Sequence, residues 1–415
     1  MIKKSIVISL LFIINLFPST PEKIQKQIED ILKELPSSTK VALLIINPLT
    51  LDTIYQVNAA RSMIPASNTK LFTTATALSL FGGNFKLSTK ILTDDDELSD
   101  SVINGNIYIK GFGNSLFTSN DLDSLVDVIR GMGIKKITGN VIGDDTYFDN
   151  IYSRKDWIEN EKANVRLPPI SALVVNGNKK IIYRKRRGRL RAYYTNVTNP
   201  PLYIAQLLKE KLEKADIVSE GNAQKGITPD STNFLTESYI LLKDLIKETN
   251  KHSNNFLAEC LFKTIGAETS GKQGNSFYST QAVLGFIDDN GIFSKGTSIV
   301  DGSGISRFDQ ITVGAIAGVL EKMYFDLKHF KDYYNSLSIA GVDGTLDERM
   351  RNTKAENNFH GKTGTLNGVT SLSGYLTTDS GDEIIVSMIF EFSRGGTNFH
   401  RRIEDKIVET LTSFE

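Results

Sequence analysis

Few residues in this chain could form a disulfide or hold a metal ion. The 415 residues include one cysteine, Cys260, and four scattered histidines. A single cysteine has no intramolecular partner, and its apolar neighbours recur at helical spacing, so we expect a buried structural thiol. No two histidines have the spacing of metal ligands. We therefore predict no metal site and no cofactor.

Long apolar runs are also scarce, and the one that stands out is at the N-terminus. Residues 5–17, SIVISLLFIINLF, follow Lys3 and Lys4. The run is short for a membrane span, and its length is typical of the hydrophobic core of a secretory signal. We predict that residues 1–20 are a signal peptide or, since no clean Ala-x-Ala follows, a retained membrane anchor. Either places the protein outside the cytoplasm, in the periplasm or cell envelope.

An excess of charge of either sign is absent. Lys plus Arg and Asp plus Glu both total 48, for a formal net charge of zero. The chain therefore lacks the overall positive field expected of a nucleic-acid-binding protein. Residues 183–194, YRKRRGRLRAYY, do interleave cations with aromatic side chains. In an exported protein of zero net charge this pattern favours a basic exposed hairpin, and we predict no nucleic-acid partner.

The chain is long enough for two or more domains. Helical and strand patterns in residues 21–85 and 233–415 predict one discontinuous mixed α/β body, with a helix from Ser238 to Asn250 among its elements. Between them, residues 86–232 show short strands and turns, which predicts a β-rich inserted domain. A small nested subdomain is expected near residues 176–196.

The stretch IPASNTKLFTTATAL, residues 64–78, holds a serine and a lysine three positions apart. A serine hydroxyl needs a base within hydrogen-bond reach to act as a nucleophile at neutral pH. If Ser67 begins a helix, Lys70 lies on the same face one turn later. By itself, however, this pattern more often marks an ordinary capped surface helix.

Two later stretches change that interpretation. In KHSNNFLAE, Ser253 and Asn255 stand two positions apart, just before a predicted helix. In HGKTGTLNGV, Lys362 offers a cation, Thr363 a hydroxyl for a substrate carboxylate, and Gly364 room for close backbone approach. The motifs S-x-x-K, S-x-N and K-T-G, in this order, form the signature of penicillin-binding proteins and serine β-lactamases.

The chain resembles the low-molecular-mass class C penicillin-binding proteins, which are D-alanyl-D-alanine carboxypeptidases and endopeptidases. Beyond the three motifs, the resemblance rests on residues 65–78, 170–178, 299–307 and 340–346, and it covers nearly all of the chain after the N-terminal run. It implies a serine penicillin-recognising transpeptidase-like fold of the α/β (α+β) class, interrupted by an insertion between the first and second motifs.

The resemblance also implies how the peptide bond is cleaved. Ser67 would attack the D-Ala-D-Ala carbonyl of a peptidoglycan stem peptide with Lys70 as its base, forming an acyl-enzyme. Ser253, with Lys362 nearby, would relay a proton to the leaving amine, and Asn255 would hold the substrate amide. β-Lactams would acylate the same serine.

The remaining expected roles concern binding. The resemblance implies an oxyanion hole made by the backbone N–H groups of Ser67 and Thr365, with Thr363 and Gly364 beside the substrate carboxylate. It also suggests that Asp144 and Arg307 recognise the stem-peptide side chain. For the first of these two positions, the adjacent Asp145 is an alternative match, and either could serve a structural role instead.

Two other functions are compatible with the motifs. A serine β-lactamase would need a second base for fast deacylation, and no obvious E-x-x-N element occurs. A catalytically silent cell-wall binding protein would keep the fold, although all three motifs are intact here. The motifs do not distinguish carboxypeptidase from endopeptidase activity, nor do they define the oligomeric state.

Overall fold

The computed structural model describes residues 20–97, 101–157, 167–186 and 189–414. The apolar run at residues 5–17, predicted as a signal or anchor, lies outside these residues. None of the helices in the described ranges is long and apolar enough to span a membrane.

Sixteen strands occur in the described part of the chain. In chain order they are β1 (Lys40–Ile46), β2 (Thr53–Val57), β3 (Lys86–Thr93), β4 (Val102–Ile103), β5 (Ile107–Phe112), β6 (Lys136–Ile137), β7 (Val141–Asp144), β8 (Lys179–Arg186), β9 (Arg189–Asn196), β10 (Val218–Ser219), β11 (Ala223–Lys225), β12 (Asn233–Leu241), β13 (Ser338–Ile339), β14 (His360–Leu366), β15 (Val369–Thr377) and β16 (Glu383–Glu391).

Ten α-helices accompany these strands in the same described ranges. They are α1 (Thr20–Lys33), α2 (Thr69–Phe81), α3 (Ser119–Gly131), α4 (Pro200–Lys214), α5 (Leu242–Lys251), α6 (Asn255–Ser270), α7 (Ser276–Asp289), α8 (Val313–Phe325), α9 (Phe330–Ser336) and α10 (Gly396–Leu411).

The main sheet has six strands in the order β13-β14-β15-β16-β1-β2, and all of its pairs are antiparallel. Helix α8 packs on one face, and α1 and α10 pack on the other. Successive side chains of a strand point to opposite faces, so Leu372 enters the core beneath α10 while Tyr375 enters the core on the α8 side. Burial on both faces explains the nearly continuous apolar sequence of β16.

Helix α2 lies within a cluster formed by α5, α6, α7 and α8. Its residues from Thr69 to Leu78 are all buried. A helix with apolar or small residues around its whole circumference suits this central position. The side chain of Cys260 is buried in α6, which confirms the expectation of a structural thiol.

The inserted region leaves the main body through β3 and returns through β12. These two strands pair antiparallel along their length and belong to a five-stranded sheet of order β11-β7-β5-β3-β12. A three-stranded sheet and helices α3 and α4 complete a separate apolar core. Since residues 238–241 are in β12, the predicted helix starting at Ser238 is wrong there. We propose that the inserted domain spans residues 86–241 rather than 86–232.

The basic stretch forms a hairpin in which β8 pairs only with β9, within the described residues. Most of its side chains are exposed. The predicted hairpin is confirmed, and it occupies the region expected to hold a small nested subdomain.

Candidate active site

The turn that carries Ser67 is held tightly against the main sheet. Residues Ala66–Asn68 form one turn of 3₁₀ helix that continues directly into α2. Ser371 Oγ on β15 donates to the Pro65 carbonyl at 2.7 Å, and Asn68 Nδ2 donates to Ser373 Oγ at 3.0 Å. Ala66 has a φ of +49°, a conformation that costs free energy and is found mainly where surrounding structure enforces it. Ser67 itself stays partly exposed to solvent.

Lys70 is completely buried one turn after the serine. Its Nζ lies 2.9 Å from Ser67 Oγ, 2.6 Å from Asn255 Oδ1 and 2.7 Å from the Ser303 carbonyl oxygen. Burial lowers the pKa of Lys70 to about 7, although the negative charge of Asp301 opposes this shift. A substantial fraction of the amine is therefore neutral near pH 7 and can accept a proton.

The loop beneath Lys70 is shaped by one carboxylate. Asp301 is fully buried and accepts hydrogen bonds from the backbone N–H groups of Ser303 at 3.1 Å, Gly304 at 2.7 Å and Ser306 at 2.9 Å. Gly304 has a φ of +76°, and a Cβ at this position would lie 1.8 Å from the Ala66 carbonyl oxygen. The loop thus packs directly against the turn that carries Ser67, with the Ser303 carbonyl directed at Lys70.

Two further buried acids surround Asp301. Glu259 accepts from the Gly302 N–H at 3.1 Å, and Asp309 accepts from the Val300 N–H at 2.7 Å. Burial, followed by repulsion from Asp301, raises the pKa of Glu259 to about 8 and that of Asp309 well above its usual value. Glu259 is therefore mainly protonated at neutral pH. The cluster consequently carries less negative charge than its three carboxyl groups suggest.

A second buried lysine, Lys362, contacts the serine of the S-x-N motif. Lys362 Nζ donates to Ser253 Oγ at 2.8 Å and to the Thr363 carbonyl at 2.7 Å. Burial, together with the nearby Lys70 charge, holds the pKa of Lys362 well below its ordinary value. Ser253 adopts a φ of +50° in the turn between α5 and α6. This turn places its hydroxyl beside Lys362, while Asn255, at the start of α6, faces Lys70.

The K-T-G strand approaches the turn that carries Ser67 at Gly364. A Cβ on Gly364 would lie 2.8 Å from the Pro65 carbonyl oxygen and 3.0 Å from the Ser67 nitrogen, so only glycine fits here. Thr363 Oγ1 donates to Thr345 Oγ1 at 2.8 Å. Thr365, one residue beyond the glycine, is exposed. The three motifs of the sequence therefore meet at one site.

Asp144 and Arg307, which were predicted to recognise the stem-peptide side chain, both form hydrogen bonds within the protein. Asp144 is fully buried at the end of β7 and accepts from Thr146 and from the Thr228 N–H, the latter at 2.7 Å. Arg307 donates to the Asn367 carbonyl at 2.7 Å, at the turn between β14 and β15. A substrate-binding role for either residue stays a prediction.

Several residues of the site were not identified from the sequence. Glu259 and Asp309 reach the acidic cluster from different segments, and neither belongs to a motif. Thr345 and Asp301 do lie within two stretches that carry the resemblance, AGVDGTL and IVDGSGISR. Arg401 on α10 donates to Thr365 Oγ1 at 2.8 Å, and no local sequence pattern marks it. In the described part of the chain, no group of His, Cys, Asp and Glu side chains has the geometry to hold a metal ion.

Comparison with known proteins assigns the chain to a family. A model of the D-Ala-D-Ala carboxypeptidase 3 (S13) family matches residues 24–192 and 185–414. The chain belongs to this family. The family resemblance and the assignment as an enzyme, both predicted from the sequence motifs, are thereby confirmed.

Relatives of this S13-family chain align along most of their lengths. The D-alanyl-D-alanine carboxypeptidase of Actinomadura sp. strain R39 is 25% identical over 414 residues, covering 82% of this chain and 76% of the relative. The D-alanyl-D-alanine carboxypeptidase DacB of Haemophilus influenzae is 23% identical over 445 residues, covering 92% of both chains.

Solved structures show the same fold. Penicillin-binding protein 4 of Haemophilus influenzae superimposes with a TM-score of 0.80 at 22% identity, over 92% of this chain and 98% of that one. The same protein has also been solved in complex with a β-lactam, with a TM-score of 0.77 to this chain at 21% identity. The fold class expected from the sequence is confirmed.

Proposed function

We propose that this protein is a serine peptidase that cleaves the D-Ala-D-Ala bond of peptidoglycan stem peptides through an acyl-enzyme on Ser67. The observation that carries the proposal is the environment of Lys70, a fully buried amine 2.9 Å from the serine hydroxyl with a pKa lowered to about 7. A general base is most effective when its pKa lies near the working pH.

The hydrogen bonds of Lys70 suit a neutral amine. A neutral amine has two N–H groups and one lone pair, and Asn255 Oδ1 and the Ser303 carbonyl offer two acceptors at 2.6 and 2.7 Å. With both N–H groups used in this way, the lone pair is left for the Ser67 hydroxyl proton. Ser67 Oγ then attacks the carbonyl carbon of the penultimate D-alanine as its proton passes to Lys70.

Collapse of the tetrahedral intermediate breaks the peptide C–N bond and requires a proton on the leaving nitrogen. We assign this delivery to Ser253 Oγ, which passes on its own proton and recovers one from Lys362, 2.8 Å away. The proton that Lys70 took from Ser67 is then returned to Lys362, so both lysines regain their starting protonation states. Water attacks the Ser67 ester while the neutral Lys70 takes a proton from it, and Lys70 passes this proton to Ser67 Oγ as the acyl C–O bond breaks. The cycle needs no oxidant and no additional reactant.

The K-T-G strand supplies the binding groups in this proposal. Because the backbone at Gly364 lies against the Ser67 nitrogen, a carbonyl oxygen bound there could accept from the N–H groups of Ser67 and Thr365. One such donor typically contributes on the order of 3 kcal/mol to transition-state stabilisation. Thr363, buried beside Thr345, would orient the substrate carboxylate.

The substrate class places the enzyme in the cell envelope, where stem peptides occur. β-Lactams present a reactive carbonyl and a carboxylate in a similar arrangement, so we propose that they acylate Ser67 as well. Whether the leaving group is free D-alanine or the side chain of a neighbouring stem depends on contacts outside the three motifs.

Labelling with a fluorescent penicillin tests the proposal. The wild-type protein should retain the label, and mass spectrometry should locate the adduct on the peptide that contains Ser67. Ser67→Ala should abolish labelling and the release of D-alanine from a pentapeptide. As a matched control, Ser62→Ala removes a nearby hydroxyl that bonds the Gly296 carbonyl at 2.5 Å and should retain both activities.

Other outcomes would contradict the proposal. Rapid conversion of the penicillin to penicilloic acid without a lasting adduct would indicate a β-lactamase. Absence of both adduct and D-alanine release would indicate a binding protein without catalysis. Assays of a pentapeptide and a cross-linked dimer muropeptide, compared by product mass, separate carboxypeptidase from endopeptidase activity.

A further inference from the structure

The β8–β9 hairpin concentrates positive charge without neutralising it. Between Glu161 and Glu210 the sequence contains no Asp or Glu. Within the described residues of the hairpin are seven cations, and none of them forms an ion pair with a carboxylate of the described chain: Lys179, Lys180, Arg184, Lys185, Arg186, Arg189 and Arg191. Although the whole chain has zero net charge, this hairpin therefore carries a local excess of positive charge.

The strand register places four arginines on one face of the hairpin. Arg184 pairs with Arg191, and Arg186 pairs with Arg189. These pairs are two residues apart along each strand, so all four side chains point to the same side. Like charges directly opposite each other destabilise a two-stranded ribbon. Such an arrangement becomes favourable when an anionic partner lies between the guanidinium groups.

The opposite face of the hairpin is apolar and exposed. Ile181 pairs with Tyr194, Tyr183 with Ala192, and Leu190 with Lys185. The exposed fractions of the four large apolar side chains are 50% for Ile181, 66% for Tyr183, 68% for Leu190 and 76% for Tyr194. Large apolar side chains grouped on one exposed face mark an interaction surface rather than an ordinary solvated strand.

The base of the hairpin is fixed to the protein. Asn178 Nδ2 donates to the Pro169 carbonyl at 2.9 Å, and Asn196 Nδ2 donates to the Leu167 carbonyl at 3.1 Å. The Lys180 ammonium lies 5.7 Å from the centre of the Tyr203 ring on α4. These contacts hold the base of the hairpin in a fixed position on the protein, so the orientation of its two faces is also fixed.

We propose that this hairpin docks the protein onto the surface of an anionic phospholipid bilayer. An apolar face opposite a strongly cationic one is the arrangement of interfacial amphipathic elements: the apolar side chains enter the boundary between headgroups and acyl chains, and the cations stay at phosphate level. A soluble polyanion or a nucleic acid would use the arginines but leave Ile181, Tyr183, Leu190 and Tyr194 in water. The proposal is independent of the catalytic assignment.

Vesicle sedimentation of the full chain tests this docking. Binding to phosphatidylcholine vesicles that contain phosphatidylglycerol should exceed binding to pure phosphatidylcholine vesicles, and the excess should fall with salt as the charges are screened. Replacing Arg184, Arg186, Arg189 and Arg191 with Gln should weaken the excess binding at least about tenfold, since each cation near an anionic surface contributes on the order of a fivefold factor.

A matched charge control isolates the hairpin. Replacing four exposed lysines elsewhere, namely Lys135, Lys247, Lys295 and Lys331, with Gln removes the same charge and should leave most of the vesicle binding intact. Any binding caused by insertion of the apolar run at residues 5–17 should also occur on pure phosphatidylcholine vesicles, so it is subtracted when the excess binding is calculated. Equal binding by the arginine and lysine variants would overturn the proposal.

A fluorescence reporter separates a bilayer from other polyanions. Tyr194→Trp adds an exposed tryptophan to a chain whose single tryptophan, Trp157, is buried. Its emission should shift to shorter wavelength with phosphatidylglycerol vesicles but not with soluble polyphosphate or duplex DNA. Tight binding to either soluble polyanion without an emission shift on vesicles would show that the partner is a polymer and would refute docking to a membrane.

Discussion

Lys70 Nζ lies 2.9 Å from Ser67 Oγ, and the 3₁₀ turn that leads into α2 fixes this separation. The lysine reaches the serine from a fully buried position. Its proton affinity is therefore governed by the protein interior rather than by solvent.

The rate of acylation by benzylpenicillin should rise with pH and level off above about pH 8. Lys70 accepts the serine proton only when neutral, and burial lowers its pKa to about 7. Below that pH the lysine is protonated, so the rate should fall roughly tenfold per pH unit. Stopped-flow measurement of the second-order rate constant from pH 5 to pH 9 checks this. An inflection near the ordinary lysine pKa, or a flat profile, would contradict the assignment of Lys70 as base.

Asp301→Asn and Asp309→Asn should differ sharply in their effects. Asp301 opposes the lowering of the Lys70 pKa and holds the Ser303 loop through three N–H groups. Its replacement should move the inflection of the acylation profile below pH 7. It should also reduce the limiting rate at least about tenfold, because bonds to a charged group contribute roughly 1.5–3 kcal/mol each.

Asp309 supplies the matched comparison. Burial raises the pKa of Asp309 well above its usual value, and among the three acids it has the smallest effect on the pKa of Lys70. Asp309→Asn should shift the inflection less than Asp301→Asn does. Its acylation rate should stay within about threefold of the wild-type rate, because asparagine has a similar size and its side-chain oxygen can still accept from the Val300 N–H. Thermal unfolding of both variants, recorded in parallel, separates a local effect from loss of the fold. An unchanged inflection in a folded Asp301→Asn variant would exclude the electrostatic role.

Ser253→Ala should reduce D-alanine release from a pentapeptide by about 10²–10⁴-fold, the usual contribution of a positioned proton-transfer group. The hydroxyl lies 2.8 Å from Lys362 Nζ, and alanine cannot relay a proton. The neighbouring Asn254 is the control, because its side chain caps α6 by accepting from the Leu257 N–H at 3.3 Å. Asn254→Ala should cost about 1 kcal/mol of stability and leave peptide cleavage near the wild-type rate. Equal losses in both variants would point to disruption of the turn instead.

Arg401→Ala should weaken recognition of substrates that end in a free carboxylate. The guanidinium donates to Thr365 Oγ1 at 2.8 Å, which places positive charge beside the exposed end of the K-T-G strand. We expect kcat/KM for a D-Ala-D-Ala pentapeptide to fall about tenfold, a loss typical of a charge-assisted hydrogen bond. The C-terminal amide of the same peptide should be cleaved at a rate that the substitution barely changes.

The adjacent arginine tests whether this effect is local. Arg402 is exposed and lies 5.9 Å from the Phe399 ring centre. Arg402→Ala removes the same charge from the same helix and should leave kcat/KM for both peptides near the wild-type values. If the free-acid and amide peptides respond equally to Arg401→Ala, the arginine supports the strand without sensing the carboxylate.

Much of the secondary structure follows from local pattern. The buried apolar residues of α3, for example, recur at helical spacing along the sequence: Leu122, Leu125, Val126 and Ile129. The segment at residues 238–241 shows where local pattern fails. Its apolar residues have helical spacing, but the segment pairs with Lys86–Thr89 of β3 instead. Because that partner strand lies more than 140 residues away in the sequence, the pairing cannot be predicted from the local residues alone.

The sequence alone was enough to assign the family and to predict Ser67 and Lys70 as nucleophile and base, because the residues of the three motifs stand at fixed short spacings. Only the tertiary structure decided how acidic or basic these groups are. Glu259 from α6 and the two acids of the loop before α8, Asp301 and Asp309, converge near Lys70, and Lys362 contacts Ser253 across 109 positions. Burial and charge depend on which distant segments pack together. The spacing of the motifs therefore predicts the chemistry, and the packing around them sets the pKa values at which it can occur.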